Sequence, residues 1–185
     1  RDIDYITTPN AEKVFNNIIN KYKKGFSSFN IVGAYGTGKS SFLISFEKTI
    51  NNKELYFDYD PSSFIDVQGF DFLNFVGEYN SLIEVFAQKF NLSAEQNISN
   101  RKILDELDDY YSSIKKVNKG LVIVIDEFGK FLEYAAKNNP EEELYFIQNL
   151  AEYANNAEKN IIFITTLHQN FHAYSLGLSR AQKQE

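Results

Sequence analysis

Residues 33–40 read Gly33-Ala34-Tyr35-Gly36-Thr37-Gly38-Lys39-Ser40, which is the pattern G-x-x-x-x-G-K-[ST] of a phosphate-binding loop. Glycines let the backbone N–H groups of such a loop surround the phosphates of a nucleoside triphosphate. The lysine reaches the β and γ oxygens, and the hydroxyl ligates Mg²⁺. An apolar stretch at 29–32 precedes the loop, and residues 41–47 follow it with the spacing of a helix. Phosphates held by these residues and Ser41 would therefore sit at a helix N-terminus, where the helix dipole favours negative charge.

The composition limits the class of protein. The chain has 185 residues, the size of one domain or of one domain with an appendage, and 43% of them are hydrophobic, which is enough for a core. It has no Cys, no stretch long enough to predict a membrane span and no secretory leader, and these features predict a cytoplasmic protein. The net charge of −6 gives no electrostatic case for nucleic-acid binding. Because the chain starts at Arg1 and contains no Met, we expect it to be a segment of a longer protein.

A second pattern occurs at residues 121–127, which read Leu-Val-Ile-Val-Ile-Asp-Glu. A continuous apolar run is typical of a strand that is buried on both faces of a parallel sheet. Open α/β sheets bind their ligands at the carboxyl ends of the strands. We therefore expect Asp126 to hold Mg²⁺ together with Ser40, and Glu127 to polarise the attacking water as a general base.

The remaining sequence predicts alternating helices and strands. Helices are expected at 10–24, 81–90, 100–117, 128–137 and 140–157, and strands at 54–59, 70–76 and 161–166. The helix at 100–117 carries an apolar face formed by Ile103, Leu107, Tyr110, Ile114 and Val117. Pro140 is expected to start the last helix, and Glu141, Glu142 and Glu143 are interpreted as first-turn residues that complement the helix dipole.

Polar residues end the strand at 161–166. If this strand neighbours the strand of Asp126, then Thr165 or Thr166 could orient the attacking water or contact the γ-phosphate. His168 and Gln169 follow closely enough to compete for the same role. His168 and His172 have the spacing of a zinc pair on a helix, but Gln169 replaces the glutamate of the zinc-protease pattern, which argues against zinc.

The order of these motifs resembles that of the AAA+ and STAND-type ATPases, which belong to the additional-strand, catalytic-glutamate branch of the P-loop NTPases. The loop, including Lys39 and Ser40, matches this branch position for position, and so do Asp126 and Glu127. Thr165 or Thr166 falls at the sensor position of the branch. The stretch at 124–135, with Thr166-Leu-His-Gln169 downstream, is similar to the ATPase cores of large bacterial AAA proteins, some of which serve in phage defence.

This resemblance covers about residues 29–169 and implies a fold and an activity. It implies a three-layer αβα fold with a mainly parallel sheet. It also implies Mg²⁺-dependent ATP binding and hydrolysis that drives conformational change or assembly in a larger protein, with catalytic contributions from Glu127, Lys39 and the sensor threonine.

The chain also departs from the AAA+ pattern, which has a fifth core strand, a helical lid and an arginine finger. We expect a lead-in helix within 1–27, the ATPase core at 28–170 and a truncated tail at 171–185, with the lid missing. Arg180 is the only arginine late enough to act as a finger in a neighbouring subunit, but we favour its interpretation as a residue on the surface of a helix.

Two other functions stay open at this level. One is a nucleotide-dependent switch or scaffold that binds ATP and barely hydrolyses it. The other is a GTPase, since residues 126–129 fit D-x-x-G. No N-K-x-D element for guanine recognition follows them, and this absence argues against a GTPase.

Overall fold

The structure, a computed structural model, describes residues 5–64, 66–92, 99–169 and residue 174. The four strands found within these residues are β1 (Ser28–Val32), β2 (Phe70–Val76), β3 (Gly120–Asp126) and β4 (Ile161–Leu167). The helices found there are α1 (Pro9–Tyr22), α2 (Lys39–Ile50), α3 (Leu82–Lys89), α4 (Asn100–Lys115), α5 (Gly129–Ala135) and α6 (Pro140–Ala154).

The strands form a single parallel sheet in the order β1-β4-β3-β2. Strand β4 lies between β1 and β3, so that Thr165 is in register with Asn30 on one side and with Ile125 on the other. The strands predicted around 29–32, 70–76, 121–126 and 161–166 are confirmed. The phosphate-binding loop, the Asp-Glu pair and the polar end of β4 consequently meet at one edge of the sheet.

The sheet has a hydrophobic core on each face, which makes the domain three-layered. Alternate residues of the central strands point to opposite faces because side chains of a strand alternate. Leu121, Ile123 and Ile125 pack with helices α3, α4, α5 and α6. Val122 and Val124 pack with α1 and α2 in the other core. The predicted three-layer αβα fold with a parallel sheet is therefore confirmed for the described residues.

The prediction of a strand at 54–59 is wrong, because this segment is an irregular loop. Its backbone bonds to helix α2 and to side chains, and not to a neighbouring strand. The N–H of Tyr56 donates to the hydroxyl of Thr49 at 3.1 Å, and the carbonyl of Tyr56 accepts from the hydroxyl of Thr7 at 2.8 Å. Phe57 inserts into the core between α1 and α2 and stacks on Phe15 with 4.5 Å between ring centroids. The aromatic residues that suggested a strand are thus explained by core packing.

The ends of two predicted helices also need correction. Helix α4 ends at Lys115, so Val117 lies beyond the helix and is 60% exposed instead of continuing the apolar face. In the same helix, Tyr111 is buried more deeply than the predicted Tyr110. Helix α6 ends at Ala154 rather than near 157.

Glu143 has a role beyond the expected one. This first-turn residue of α6 is only 3% exposed, and its carboxylate accepts hydrogen bonds from the hydroxyl of Ser81 and, at 3.1 Å, from the backbone N–H of Leu82. It therefore caps the N-terminus of a different helix, α3, and joins α6 to it. All three glutamates lie in the first turn of α6 as predicted, and Glu143 has in addition a contact with α3 that the sequence did not predict.

We expect Glu143→Ala to lower the free energy of unfolding by about 2–4 kcal/mol, because it leaves a buried hydroxyl and a buried N–H without their acceptor. Urea denaturation measures the loss. Glu142→Ala is the matched control, since Glu142 is exposed on the same turn, and it should change stability by less than about 0.5 kcal/mol. Equal effects of the two substitutions would contradict the capping role.

The same carboxyl predicts a pH dependence of stability. Burial raises the pKa of Glu143 above its ordinary 4.5, and the hydrogen bonds from Ser81 and Leu82 oppose this shift. Since the folded protein holds the proton more tightly than the unfolded chain, ionisation subtracts from stability as the pH rises from 4.5 through the raised pKa. We expect wild type to lose stability relative to Glu143→Gln over this range. A difference between the two proteins that is the same at about pH 4 and about pH 8 would contradict the shift.

Within the described residues, no helix combines the length and the apolar character that a membrane crossing needs.

Candidate nucleotide-binding site

The loop at 33–38 connects β1 to α2, as the sequence predicts. Gly36 and Gly38 have φ angles of 74° and 81°, in the left-handed region that favours glycine. Gly38 is also the N-cap residue of α2, whose first turn has no acidic side chain. No side chain caps the backbone N–H groups at the start of α2, and such groups, together with the helix dipole, favour a bound anion.

Lys39 lies over the loop. Its Nζ donates to the carbonyl oxygens of Gly33 at 2.5 Å and Ala34 at 2.8 Å, and the hydroxyl of Thr37 donates to Ala34 at 2.8 Å. Gly33 also anchors the loop to the sheet, because its N–H donates to the carbonyl of Leu167 at 3.1 Å. The lysine ammonium is thus held at the mouth of the loop by these carbonyl oxygens.

Ser40 and Asp126 meet across the site. The hydroxyl of Ser40, in the first turn of α2, donates to Oδ2 of Asp126, at the end of β3, at 2.5 Å. A hydroxyl and a carboxylate oxygen are ligands that Mg²⁺ accepts. The described residues contain no group of three or more His, Cys, Asp and Glu that could enclose a metal ion. This donor set fits a Mg²⁺ ion that completes its coordination with phosphate oxygens and water.

Thr166 positions both acidic residues. Its side chain, fully buried, donates to Oδ1 of Asp126 at 2.5 Å and accepts from the backbone N–H of Glu127 at 2.9 Å. The same N–H is also 3.0 Å from Oδ1 of Asp126. Thr165 points to β1 instead, where its hydroxyl donates to the side-chain oxygen of Asn30 at 3.2 Å. Of the two threonines, only Thr166 contacts the acidic pair.

Glu127 has an unusual backbone conformation for its residue type. Its φ of 54° lies in the left-handed region. Gly77, directly after β2, packs against this turn: its N–H donates to the carbonyl of Asp126 at 2.7 Å, and a Cβ atom at this position would collide with the carbonyl of Glu127. In the sequence, Gly77 stands out only as a glycine directly after a predicted strand. Nothing in the sequence indicates that Gly77 contacts Glu127.

The carboxylate of Glu127 is ion-paired with Lys130, three residues later. This pair raises the pKa of the Lys130 ammonium, chiefly through the hydrogen bond to Glu127. The sequence gives no clear signal for this contact, because Glu127 precedes α5 and the spacing rule for ion pairs applies within a helix.

The site residues border a cavity of about 300 Å³. Its lining consists of Tyr35, Gly36, Thr37, Gly38, Lys39, Ser40, Ser41, Asp126, Glu127 and His168. The loop, the acidic pair and the first residue after β4 therefore share one cavity. Neither threonine of β4 lines it. The predictions that concern His172 and Arg180 lie outside the described residues.

A comparison with protein-family models and with curated proteins finds no match to this sequence. Solved structures do match. The chain is similar to the Aeropyrum pernix ORC2 protein in its ADPNP-ADP complexes, with a TM-score of 0.58 and 14% identity over 99% of this chain. It is similar to Drosophila ORC bound to DNA, with a TM-score of 0.57 and 14% identity over 90% of this chain. It is also similar to C. elegans PCH-2, with a TM-score of 0.52 and 12% identity over 88% of this chain.

These likenesses concern the fold, since the identities are low. The chain spans 48%, 40% and 38% of the three matched chains, which is less than half of each. The four-stranded parallel sheet, with β4 between the strand of the loop and the strand of the Asp-Glu pair, agrees with the additional-strand arrangement that the sequence motifs imply. The chain therefore shares with these structures a three-layer α/β fold, that of a P-loop NTPase.

Proposed function

We propose that this chain binds ATP with Mg²⁺ in the cavity of the loop and hydrolyses it to ADP and phosphate. The observation that carries the proposal is the hydrogen bond of 2.5 Å between Ser40 and Asp126. These two residues are 86 positions apart and come from different motifs, yet their oxygens meet beside Lys39 and Glu127. Support for a nucleotide as ligand comes from the Aeropyrum pernix ORC2 protein, whose structures are described as ADP and ADPNP-ADP forms.

In the proposed mechanism, the loop amides of residues 33–41 and the ammonium of Lys39 bind the phosphates. Ser40 and Asp126 would hold Mg²⁺, which would supply positive charge that stabilises the phosphates during transfer. Glu127 accepts the proton of a water that attacks the γ-phosphate, and ADP leaves. Thr166 keeps Asp126 and the backbone of Glu127 in place.

We further propose that hydrolysis drives conformational change or assembly in a longer cytoplasmic protein. In this proposal residues 28–170 are the ATPase core, 1–27 a lead-in and 171–185 part of a tail, and Arg180 of one copy can act on the site of another. The resemblance to AAA+ cores supports this view. The narrower similarity to phage-defence ATPases stays a prediction from the sequence alone.

Calorimetric titration with ATP, ADP and GTP, each with and without Mg²⁺, tests the proposed ligand. We expect ATP binding that strengthens with Mg²⁺ and loses that dependence in Ser40→Ala, because the variant lacks one of the two protein ligands. Ser113→Ala, an exposed serine of α4 away from the cavity, is the matched control. Failure of a folded chain to bind ATP would contradict the proposal, and stronger binding of GTP would favour the GTPase alternative.

A second candidate is a nucleotide-dependent switch with little hydrolysis. The ion pair of Glu127 with Lys130 favours it, because a carboxylate held by an ammonium is not free to accept a proton from water. Turnover that rises with protein concentration would instead indicate a site completed by a neighbouring copy.

We expect Lys130→Gln to raise the rate of ATP hydrolysis by about two- to fivefold, since the exposed ion pair is a weak one and its loss frees Glu127. Single-turnover hydrolysis measures the change, and Lys137→Gln, which alters a cation near the end of α5, is the control. A slower Lys130→Gln variant with unchanged ATP affinity would show that Lys130 assists hydrolysis instead of restraining Glu127.

A further inference from the structure

The sheet has an open edge at β2. Among the described residues β2 pairs with β3 alone, so no strand lies on its other side. Toward β3, Gly69 accepts a hydrogen bond at 3.0 Å and Gly77 donates one at 2.7 Å. Successive residues of a strand in a parallel sheet turn their backbone groups to opposite sides. The N–H and C=O groups of Phe70, Phe72 and Asn74 therefore point away from β3, along the open edge.

The side chain of Asn51, directly after α2, pairs with the first of these outward residues. Its amide nitrogen donates to the carbonyl of Phe70 at 3.0 Å, and its oxygen accepts from the N–H of Phe70 at 2.8 Å. One side chain thus makes both bonds that a residue of an added strand would make. The described residues offer Phe72 and Asn74 no such partner. Strand β2 also contains no proline and no lysine, which proteins often use to block an open edge.

Two cavities lie along this edge and share Glu47 and Asn74 in their linings. The first, of about 460 Å³, lies toward the amino end of β2 and is also lined by Lys53 and Phe70. The second, of about 260 Å³, lies toward the carboxyl end and is also lined by Val76. Together they follow β2 over about 20 Å, at about 3.3 Å per residue. The space beside the strand therefore has the length that an extended peptide needs.

Opposite charges stand at the two ends of this space. Glu47, on α2, is half-buried, and its carboxylate accepts only a long hydrogen bond, from Asn74 at 3.4 Å. Lys53 is exposed in the loop after α2 and borders the same cavity as Phe70. Within the described part of the chain neither residue forms an ion pair. An added strand would therefore meet negative charge beside Asn74 and positive charge beside Phe70.

The other charged residues that border the two cavities have partners of their own. Lys119 pairs with Asp71 at 2.7 Å, and Asp126 is bonded within the candidate nucleotide site. Glu47 and Lys53 are thus the charges that a partner can neutralise.

We propose that the edge of β2 binds an extended peptide as an additional antiparallel strand, which exchanges backbone hydrogen bonds with Phe72 and Asn74. The antiparallel direction is the more stable one per residue. The peptide carries a basic residue opposite Asn74, beside Glu47, and an acidic residue four positions away, beside Lys53. An apolar residue between them packs on Phe72, which already lies against the core of α1 and α2. The charges set the register, and the backbone bonds supply most of the affinity.

The probe is the synthetic peptide acetyl-Thr-Lys-Thr-Val-Thr-Glu-Thr-amide, whose lysine, valine and glutamate share one face of a strand. Amide hydrogen exchange measured by NMR tests its binding to the full chain. Saturating peptide should slow exchange of the N–H groups of Phe72 and Asn74 by at least about tenfold. The N–H groups of Leu73 and Phe75 face β3 and are the internal reference, with an expected change of less than about twofold.

Two methylated peptides of the same charge are the matched controls. Methyl groups on the amide nitrogens of the lysine and the valine remove the donors that face β2, and should weaken binding by more than about tenfold. Methyl groups on the two threonines that flank the valine point away from β2, and should change binding by less than about threefold. NMR titration gives these affinities.

A substitution in the protein tests the charges. Glu47→Gln should weaken binding of the probe by about two- to fivefold, and should not affect a peptide with glutamine in place of its lysine. Glu12→Gln, at an exposed position of α1, is the control and should leave both affinities unchanged. Equal losses for the two peptides would overturn the contact between Glu47 and the basic residue.

The other outcomes decide between occupants of the edge. No binding of the probe, equal losses for both methylated peptides, or unchanged exchange at Phe72 and Asn74 would overturn the added strand. Protection of these two residues that grows with protein concentration, without peptide, would show that a second copy of the chain occupies the edge and would overturn the peptide partner. Because no nucleotide is present in these measurements, each of these results leaves the proposed ATPase function untouched.

Discussion

Glu127→Gln is expected to slow ATP hydrolysis by about 10²- to 10⁴-fold, which is the usual contribution of a general base, while ATP stays bound. The amide keeps the shape of the side chain but cannot accept a proton from water. Its backbone N–H can still donate to Asp126 and Thr166, so the geometry of the Mg²⁺ ligands should persist. Rapid-quench measurement with enzyme in excess over ATP isolates this step from product release.

The matched control is Glu133→Gln, the same substitution at an exposed position of α5. It should leave the single-turnover rate unchanged. A Glu127→Gln variant as fast as wild type would refute the assignment of Glu127 as base. If wild type also hydrolyses no ATP at any protein concentration, the switch alternative is favoured over the ATPase.

Much of the fold could be predicted from local patterns. Strand β3 is a continuous apolar run because both of its faces are buried, and such a run is visible without knowledge of its neighbours. The loop is defined by residue types that its backbone needs, such as Gly36 and Gly38 at positive φ. Such features, which arise within one element, were predicted correctly, whereas the ends of α4 and α6 were not.

Features that depend on contacts between distant elements were not predicted from the sequence. Phe57 and its neighbours have the composition of a strand, but whether a segment joins a sheet depends on a free strand edge, and here the core between α1 and α2 takes the aromatic ring. Glu143 has the position of a dipole residue, and only the packing of α6 against α3 brings it to Ser81.

In the candidate site, too, some features follow from local patterns and others depend on contacts between distant elements. The sequence predicts that Ser40, Asp126 and Glu127 gather at one sheet edge, since parallel strands share the direction of their carboxyl ends. It leaves Thr165 and Thr166 as alternatives, because side chains alternate along a strand and the choice depends on the face that each presents. It cannot show that Gly77 packs on Glu127, that Lys130 pairs with it, or that Tyr35 stacks on His168.

Lys39→Ala is expected to weaken binding of ATP with Mg²⁺ by about 30- to 1,000-fold, the range for loss of one partner of a buried, hydrogen-bonded charge pair. The lysine is the only ammonium that borders the described cavity, so no other lysine there can replace it. Calorimetry measures the change in affinity. Lys13→Ala, at an exposed position of α1, is the matched control and should bind ATP as wild type does.

A direct loss of ATP contacts has to be distinguished from a change in the conformation of the loop, because Lys39 also bonds to the carbonyl oxygens of Gly33 and Ala34. Lys39→Arg makes the distinction. It keeps the positive charge and can still bond to the loop, but its planar fork does not reproduce the compact ammonium that fits between phosphates. We expect Lys39→Arg to keep the urea midpoint of wild type and to bind ATP poorly. Near-normal ATP affinity in Lys39→Ala would mean that the loop amides and the dipole of α2 hold the phosphates without the lysine.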